Sequence, residues 1–111
     1  MKTPEGQLKE QVKKYLLNTP RLWFWMPVPN GFGIAGIPDF VGCWEGKFFA
    51  IETKAPKGKE TSWQRLIREK IIAAGGLAVV AYKMEDLYAI FTDPQLLCLR
   101  DPNTGADNSG R

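Results

Sequence analysis

Histidine is absent from this 111-residue chain. That absence excludes His-dependent zinc centres, Ser-His-Asp and Cys-His nucleophilic machinery, and any histidine general base. Cysteine is nearly absent as well. Cys43 and Cys98 show no CxxC spacing and no small-domain disulfide framework. No run of apolar residues is long enough to cross a bilayer. The stretch from Met1 to Lys14 is polar and charged and does not read as a secretory signal. The expectation is a cytoplasmic protein with no membrane partner. Catalysis, if present, falls to carboxylates, Lys, Tyr, Arg or a hard metal ion bound through oxygens.

What remains is an ordinary globular composition. With 44% hydrophobic and 24% charged residues, the chain has the makings of one domain around one core. The domain is expected over residues 1–100. Residues 101–111, rich in Asn, Gly and Asp, read as a loose polar tail. A net charge of +3 and a pI near 9.0 suit a polyanionic partner, although many basic proteins bind nothing acidic.

Thr3-Pro4-Glu5 opens a helix: Thr as N-cap, Pro in the first turn, Glu against the positive helix end. Leu8, Val12, Tyr15 and Leu16 then form one apolar face, and Asn18-Thr19-Pro20 stops the helix. Leu22 to Val28 is predicted as a strand. A glycine-rich loop, Gly31 to Gly36, precedes two more strands, Pro38 to Trp44 and Lys47 to Lys54, around Glu45-Gly46. After a basic loop from Ala55 to Glu60, Thr61 to Ala74 reads as a helix with Trp63, Leu66, Ile67 and Ile71 inward, closed by Gly75-Gly76. Leu77 to Tyr82 suits a buried strand, Met84 to Phe91 a helix, and Pro94 to Leu99 a further short element. The order α-β-β-β-α-β predicts an α/β fold with helices packed on a mixed sheet.

Glu45-Gly46 carries the sharpest inference. If it is a two-residue hairpin loop, paired positions sum to 91. Asp39 then lies across from Glu52, and Lys54 shares their face. Cys43, Val41, Phe48 and Ala50 continue that face. Phe40, Gly42, Trp44, Phe49 and Ile51 make up the other, so both faces read as buried. Two opposed carboxylates repel and call for a compensating partner. A hard divalent cation beside Lys54 meets that need. On geometry alone, an ion pair between Lys54 and either carboxylate at a solvated strand end accounts for the pattern equally well.

The ordered set Gly31-Phe32-Gly33-Ile34-Ala35-Gly36-Ile37-Pro38-Asp39, then Glu52-Thr53-Lys54, resembles the PD-(D/E)XK nuclease signature. With Glu5 on the first helix and Gln64 opening the next, the fuller resemblance is to its VRR-NUC branch of small stand-alone phage and bacterial proteins. It spans Thr3 to about Tyr82 and implies a restriction-endonuclease-like core. It further implies Asp39, Glu52 and the Thr53 backbone carbonyl as ligands to Mg²⁺ or Mn²⁺. Lys54 would orient or deprotonate the attacking water, Glu5 would hold a water or second ion, and Gln64 would support the site. DNA is the implied substrate, with branched or junction DNA by analogy to stand-alone members. A homodimer would add DNA contact and a second active site.

The residues carry their own arguments beside that resemblance. At roughly 100° per residue, Glu5 lies about 35° from the centre of the apolar stripe and Glu10 nearly opposite it. Glu5 therefore faces inward, where it also stabilises the helix end. Thr61 and Gln64 form a capping box, which needs no catalysis. Gly31-x-Gly33-x-x-Gly36 matches a dinucleotide fingerprint literally, but Pro38 and a strand follow where a helix is required, so a tight loop is the better reading. The run from Leu22 to Met26 reads as a buried strand ahead of a base-stacking or dimer face. Lys57, Lys59, Arg65 and Arg68 are candidate phosphate contacts, with a solvated surface equally open for the loop lysines. The alternative function is a non-catalytic nucleic-acid-binding module on a nuclease-like fold.

Overall fold

The computed structural model describes residues 3–28, 33 and 35–91. The elements are α1 (Pro4–Leu17), β1 (Leu22–Trp25), β2 (Phe40–Trp44), β3 (Lys47–Thr53), α2 (Ser62–Ala73), β4 (Leu77–Ala81) and α3 (Glu85–Phe91). The expected α/β class and mixed sheet are present. The expected element over Pro94 to Leu99, the tail from residue 101, and Gly31, Phe32 and Ile34 of the glycine loop lie outside the described residues.

The sheet runs β1-β2-β3-β4, with β1, β2 and β3 antiparallel and β4 parallel to β3. Its register is the one the hairpin dictates. Trp44 pairs with Lys47, Cys43 with Phe48, Val41 with Ala50, and Phe40 with Ile51. Glu45 at φ 52° and Gly46 at φ 81° make the tight turn, the geometry that a two-residue hairpin loop demands. The ladder stops before Pro38, which has no N–H to give to Thr53.

Helix α1 begins as its sequence requires, with Thr3 Oγ1 accepting the Gly6 N–H at 3.0 Å and Pro4 in the first turn. Leu8, Val12 and Leu16 sink into the core with Phe40, Trp44, Phe49 and Ile51 of the sheet and Leu87, Ile90 and Phe91 of α3. Each such side chain contributes about 1.5–3 kcal/mol of burial. This face is sealed by α1 and α3.

The other face departs from expectation. Helix α2 packs mainly on β4 and leaves the outer side of β1 and the hairpin end of β2 exposed, while Val41 of β2 is buried near Ile67 and Ile71. Trp63 and Leu66, expected inward, are exposed at 60% and 39%, and no residue of α2 is fully buried. Only Ile67 and Ile71 of the expected stripe are half-buried, because a helix over one edge strand has little sheet beneath it. Strand β1 is also shorter than expected, ending before Met26-Pro27. It is not a buried strand: Leu22 and Phe24 turn to the core, while Trp23 and Trp25 stand 65% and 47% exposed. Cys43 and Phe48 on that face are exposed, whereas Val41 and Ala50 beside them are buried, so the expected second buried face is buried only toward Asp39 and Glu52 and open toward the hairpin turn.

Candidate active site

Asp39 precedes β2, and Glu52 and Thr53 end β3, so the site forms where the antiparallel ladder stops. There a side chain takes over from the backbone. Asp39 Oδ2 accepts the Thr53 N–H at 2.9 Å and the Thr53 hydroxyl at 2.7 Å. Thr53 is fully buried, so both donors are fixed. Sequence reasoning assigns Thr53 only a carbonyl role; the side-chain clamp follows from the lost ladder partner.

Glu52 is anchored through one oxygen as well. Its Oε2 accepts from Gln64 Nε2 at 2.8 Å and lies 3.8 Å from Lys54 Nζ. The same Gln64 closes the capping box of α2: its Oε1 accepts the Thr61 N–H at 2.9 Å, and its own N–H donates to Thr61 Oγ1 at 3.1 Å. The cap and the site contact hold together. The Lys54 backbone N–H donates to Ala81 O at 3.0 Å, tying the base of that side chain to β4.

Two oxygens are left over. Glu52 Oε1 is buried and has no hydrogen-bond partner among the described residues. Asp39 Oδ1 faces Lys9 Nζ at 3.5 Å. Burial pushes the Glu52 carboxyl up to about 7, and the charges of Asp39 and Glu5 add to this, while Lys54 and Lys9 pull it down. Glu5 is therefore within electrostatic reach of Glu52, and it is half-buried while Glu10 is exposed, as the helical geometry predicts.

Gly36 joins the loop to this arrangement. It adopts φ +81°, and a Cβ there would lie 2.5 Å from the Trp63 carbonyl carbon and oxygen. The loop backbone thus packs on the first turn of α2, beside Gln64. Gly36→Ala should cost roughly 2–4 kcal/mol from strain and overlap. Thermal unfolding checks this, and a change below about 0.5 kcal/mol would show that the contact yields freely.

Asp39, Glu52, Thr53, Lys54 and Gln64 are brought together. Of the candidate phosphate contacts, Arg68 lines a small cavity with Glu52 and Gln64, and the others are not gathered there. Lys57, Lys59 and Arg65 are exposed, and Arg68 forks onto Glu60 at 2.7 and 2.9 Å, which holds the Glu60 carboxyl below its ordinary range. Lys9 was missed. It flanks the apolar stripe of α1, and the signal that marks it is its position one turn after Glu5 on the same face. Among the described residues, no group of three or more Asp, Glu, Cys or His side chains is gathered to hold a metal ion. The cluster offers two carboxylates and backbone oxygen.

Asp39, Gln64 and Lys9 line a groove of about 890 Å³ that continues past Trp25 and Phe48. Asp39 is the carboxylate of this groove, while Glu52 lines a separate small cavity on the other side of Gln64, with Gly36, Glu60 and Arg68. No protein-family model, curated protein or solved structure gives a match to this chain.

Proposed function

We propose that this chain is a metal-dependent DNA endonuclease of the PD-(D/E)XK type, on a restriction-endonuclease-like core resembling the VRR-NUC branch. One observation carries the reading: each of two neighbouring carboxylates is anchored through one oxygen, and among the described residues the other oxygen of Glu52 is buried without a hydrogen-bond partner while that of Asp39 meets the Lys9 ammonium. A buried acceptor without a donor is costly, and a hard cation satisfies it. The all-oxygen donor set suits Mg²⁺ or Mn²⁺.

Asp39, Glu52 and the Thr53 carbonyl would hold the ion. Bound there, it supplies Lewis-acid polarisation of the phosphate and lowers the pKa of a water. The chain's own residues do the rest. Thr53 fixes the direction of Asp39, Gln64 fixes Glu52, and the Lys54 ammonium orients the attacking water and offsets charge on the phosphate oxygens. Glu5, half-buried and within electrostatic reach of Glu52, is assigned to a supporting water or second ion.

The protein should cut labelled DNA in Mg²⁺ or Mn²⁺ and not in EDTA, with single-stranded, duplex, flapped and four-way-junction substrates run side by side. Junction or flap preference would place it in DNA repair or recombination. Tight binding without cutting in any metal would replace this reading with a non-catalytic binding module.

The open sheet face supports a homodimer. Trp23 and Trp25, with ring centroids 5.5 Å apart, and Phe48 form an exposed apolar patch that a second copy would cover. Light scattering at micromolar concentration should give twice the monomer mass, and Trp25→Asp should halve it. A wild-type monomer with and without DNA would end the dimer proposal.

A further inference from the structure

The two unanchored carboxylate oxygens are not alike. Glu52 Oε1 has no partner among the described residues, whereas Asp39 Oδ1 has a cation 3.5 Å away. The two oxygens of Asp39 also differ in how they are held. Oδ2 accepts two short bonds from a fully buried threonine. Among the described residues, Oδ1 meets only a long ion pair from a lysine whose side chain is 35% exposed.

The root of that lysine is fixed, because Leu8 and Val12 bury the adjacent face of α1. Its flexible stem and ammonium lie in the groove that Asp39 and Gln64 also line. Such a contact is weak and easily exchanged. It occupies the oxygen that the proposed metal would need.

We infer that Lys9 is a displaceable cation of this site: its ammonium holds Asp39 Oδ1 in the metal-free protein and moves to a DNA phosphate when that oxygen is given over to a divalent ion. This rests on the nuclease reading above and adds a residue to it. Lys9 relieves the repulsion between Asp39 and Glu52 while no metal is present, and so keeps the empty site folded in its working shape. Once displaced, it remains on the wall of the groove that Asp39 lines, half-exposed and able to meet the phosphate of an anionic strand.

The test measures Mn²⁺ binding without DNA, by the electron paramagnetic resonance of free Mn²⁺. Wild type is compared with Lys9→Met, Lys9→Arg and Lys13→Met. Lys9→Met should bind Mn²⁺ roughly three- to tenfold more tightly, because a competing charge is gone. Lys13→Met, one turn further along α1, should stay within about twofold, screened by distance and solvent. Lys9→Arg should stay near wild type. With Ca²⁺ in place of Mg²⁺, Lys9→Met should bind duplex DNA more weakly and lower the salt dependence by about one phosphate contact.

Melting curves in EDTA establish that each variant is folded, and Lys9→Gln, which removes the charge and keeps a polar side chain, replaces Lys9→Met if that variant is not, with the same tightening expected. Unchanged Mn²⁺ affinity in Lys9→Met, or an equal change in Lys13→Met, would overturn the inference. So would unchanged DNA affinity and salt slope. If wild type binds no Mn²⁺ at all, the metal-site reading fails and the role of Lys9 goes with it, an outcome distinct from failure at Lys9 alone.

Discussion

Asp39→Asn is expected to lower metal-dependent DNA cleavage by on the order of a thousandfold, a loss of several kcal/mol in transition-state stabilisation. The size follows from which oxygen is fixed. Thr53 donates twice to Asp39 Oδ2, so an asparagine would turn its carbonyl oxygen to Thr53. Its NH₂ would then face the position of Oδ1. A donor would stand where a divalent ion needs an acceptor, which is worse than a missing ligand. The fold should survive, because both Thr53 bonds persist.

Lys54→Ala should act on the same scale for a different reason. It removes the cation beside Glu52 Oε2 and the group assigned to the water, while leaving both metal-holding carboxylates in place. The pair therefore separates two losses: Asp39→Asn abolishes metal binding and cutting together, and Lys54→Ala abolishes cutting with metal still bound. Cleavage assays on folded variants, alongside Mn²⁺ titration, make the comparison. Asp39→Asn with activity within tenfold of wild type would remove Asp39 from the mechanism.

The hairpin explains why so much of this site is legible in the sequence. A two-residue turn fixes every cross-strand pair by arithmetic, so locating the turn at Glu45-Gly46 is enough to bring Asp39 near Glu52. Capping rules place Thr61 and Gln64. Helical geometry places Glu5 on the inward side of α1.

The errors lie where a residue's surroundings depend on what packs over it. Trp23, Trp25, Trp63 and Leu66 have the composition of core residues, yet the sheet is wider than α2 can cover. No local pattern states how many strands a helix will shield. Lys9 escapes for a related reason: a lysine at the edge of an apolar stripe reads as surface until the fold sets a carboxylate opposite it. The role of the Thr53 hydroxyl depends on the ladder ending at Phe40–Ile51, which no motif announces.

Glu52→Gln should make the metal-free protein more stable at alkaline pH, not less. In the folded chain the Glu52 carboxyl is raised from 4.5 to about 7, chiefly by burial and then by Asp39. Below about pH 4.5 both folded and unfolded chains hold the proton, and the neutral carboxyl fits its site. Between 4.5 and about 7 the unfolded chain releases that proton first, so folding is progressively penalised as pH rises. Above about 7 both states are ionised and the penalty is constant, on the order of 3 kcal/mol at full expression. Glutamine carries no charge to bury and still offers an oxygen to Gln64. In EDTA at pH 8, Glu52→Gln should therefore melt roughly 5–15 °C above wild type, and the two should converge near pH 4. Millimolar Mg²⁺ or Mn²⁺ should raise the wild-type melting temperature at pH 8 and leave Glu52→Gln unmoved, because only the carboxylate gains a partner. Parallel melting profiles from pH 4 to 8 would show that Glu52 is ionised at no cost. The unsatisfied oxygen on which the metal site rests would then have a partner after all.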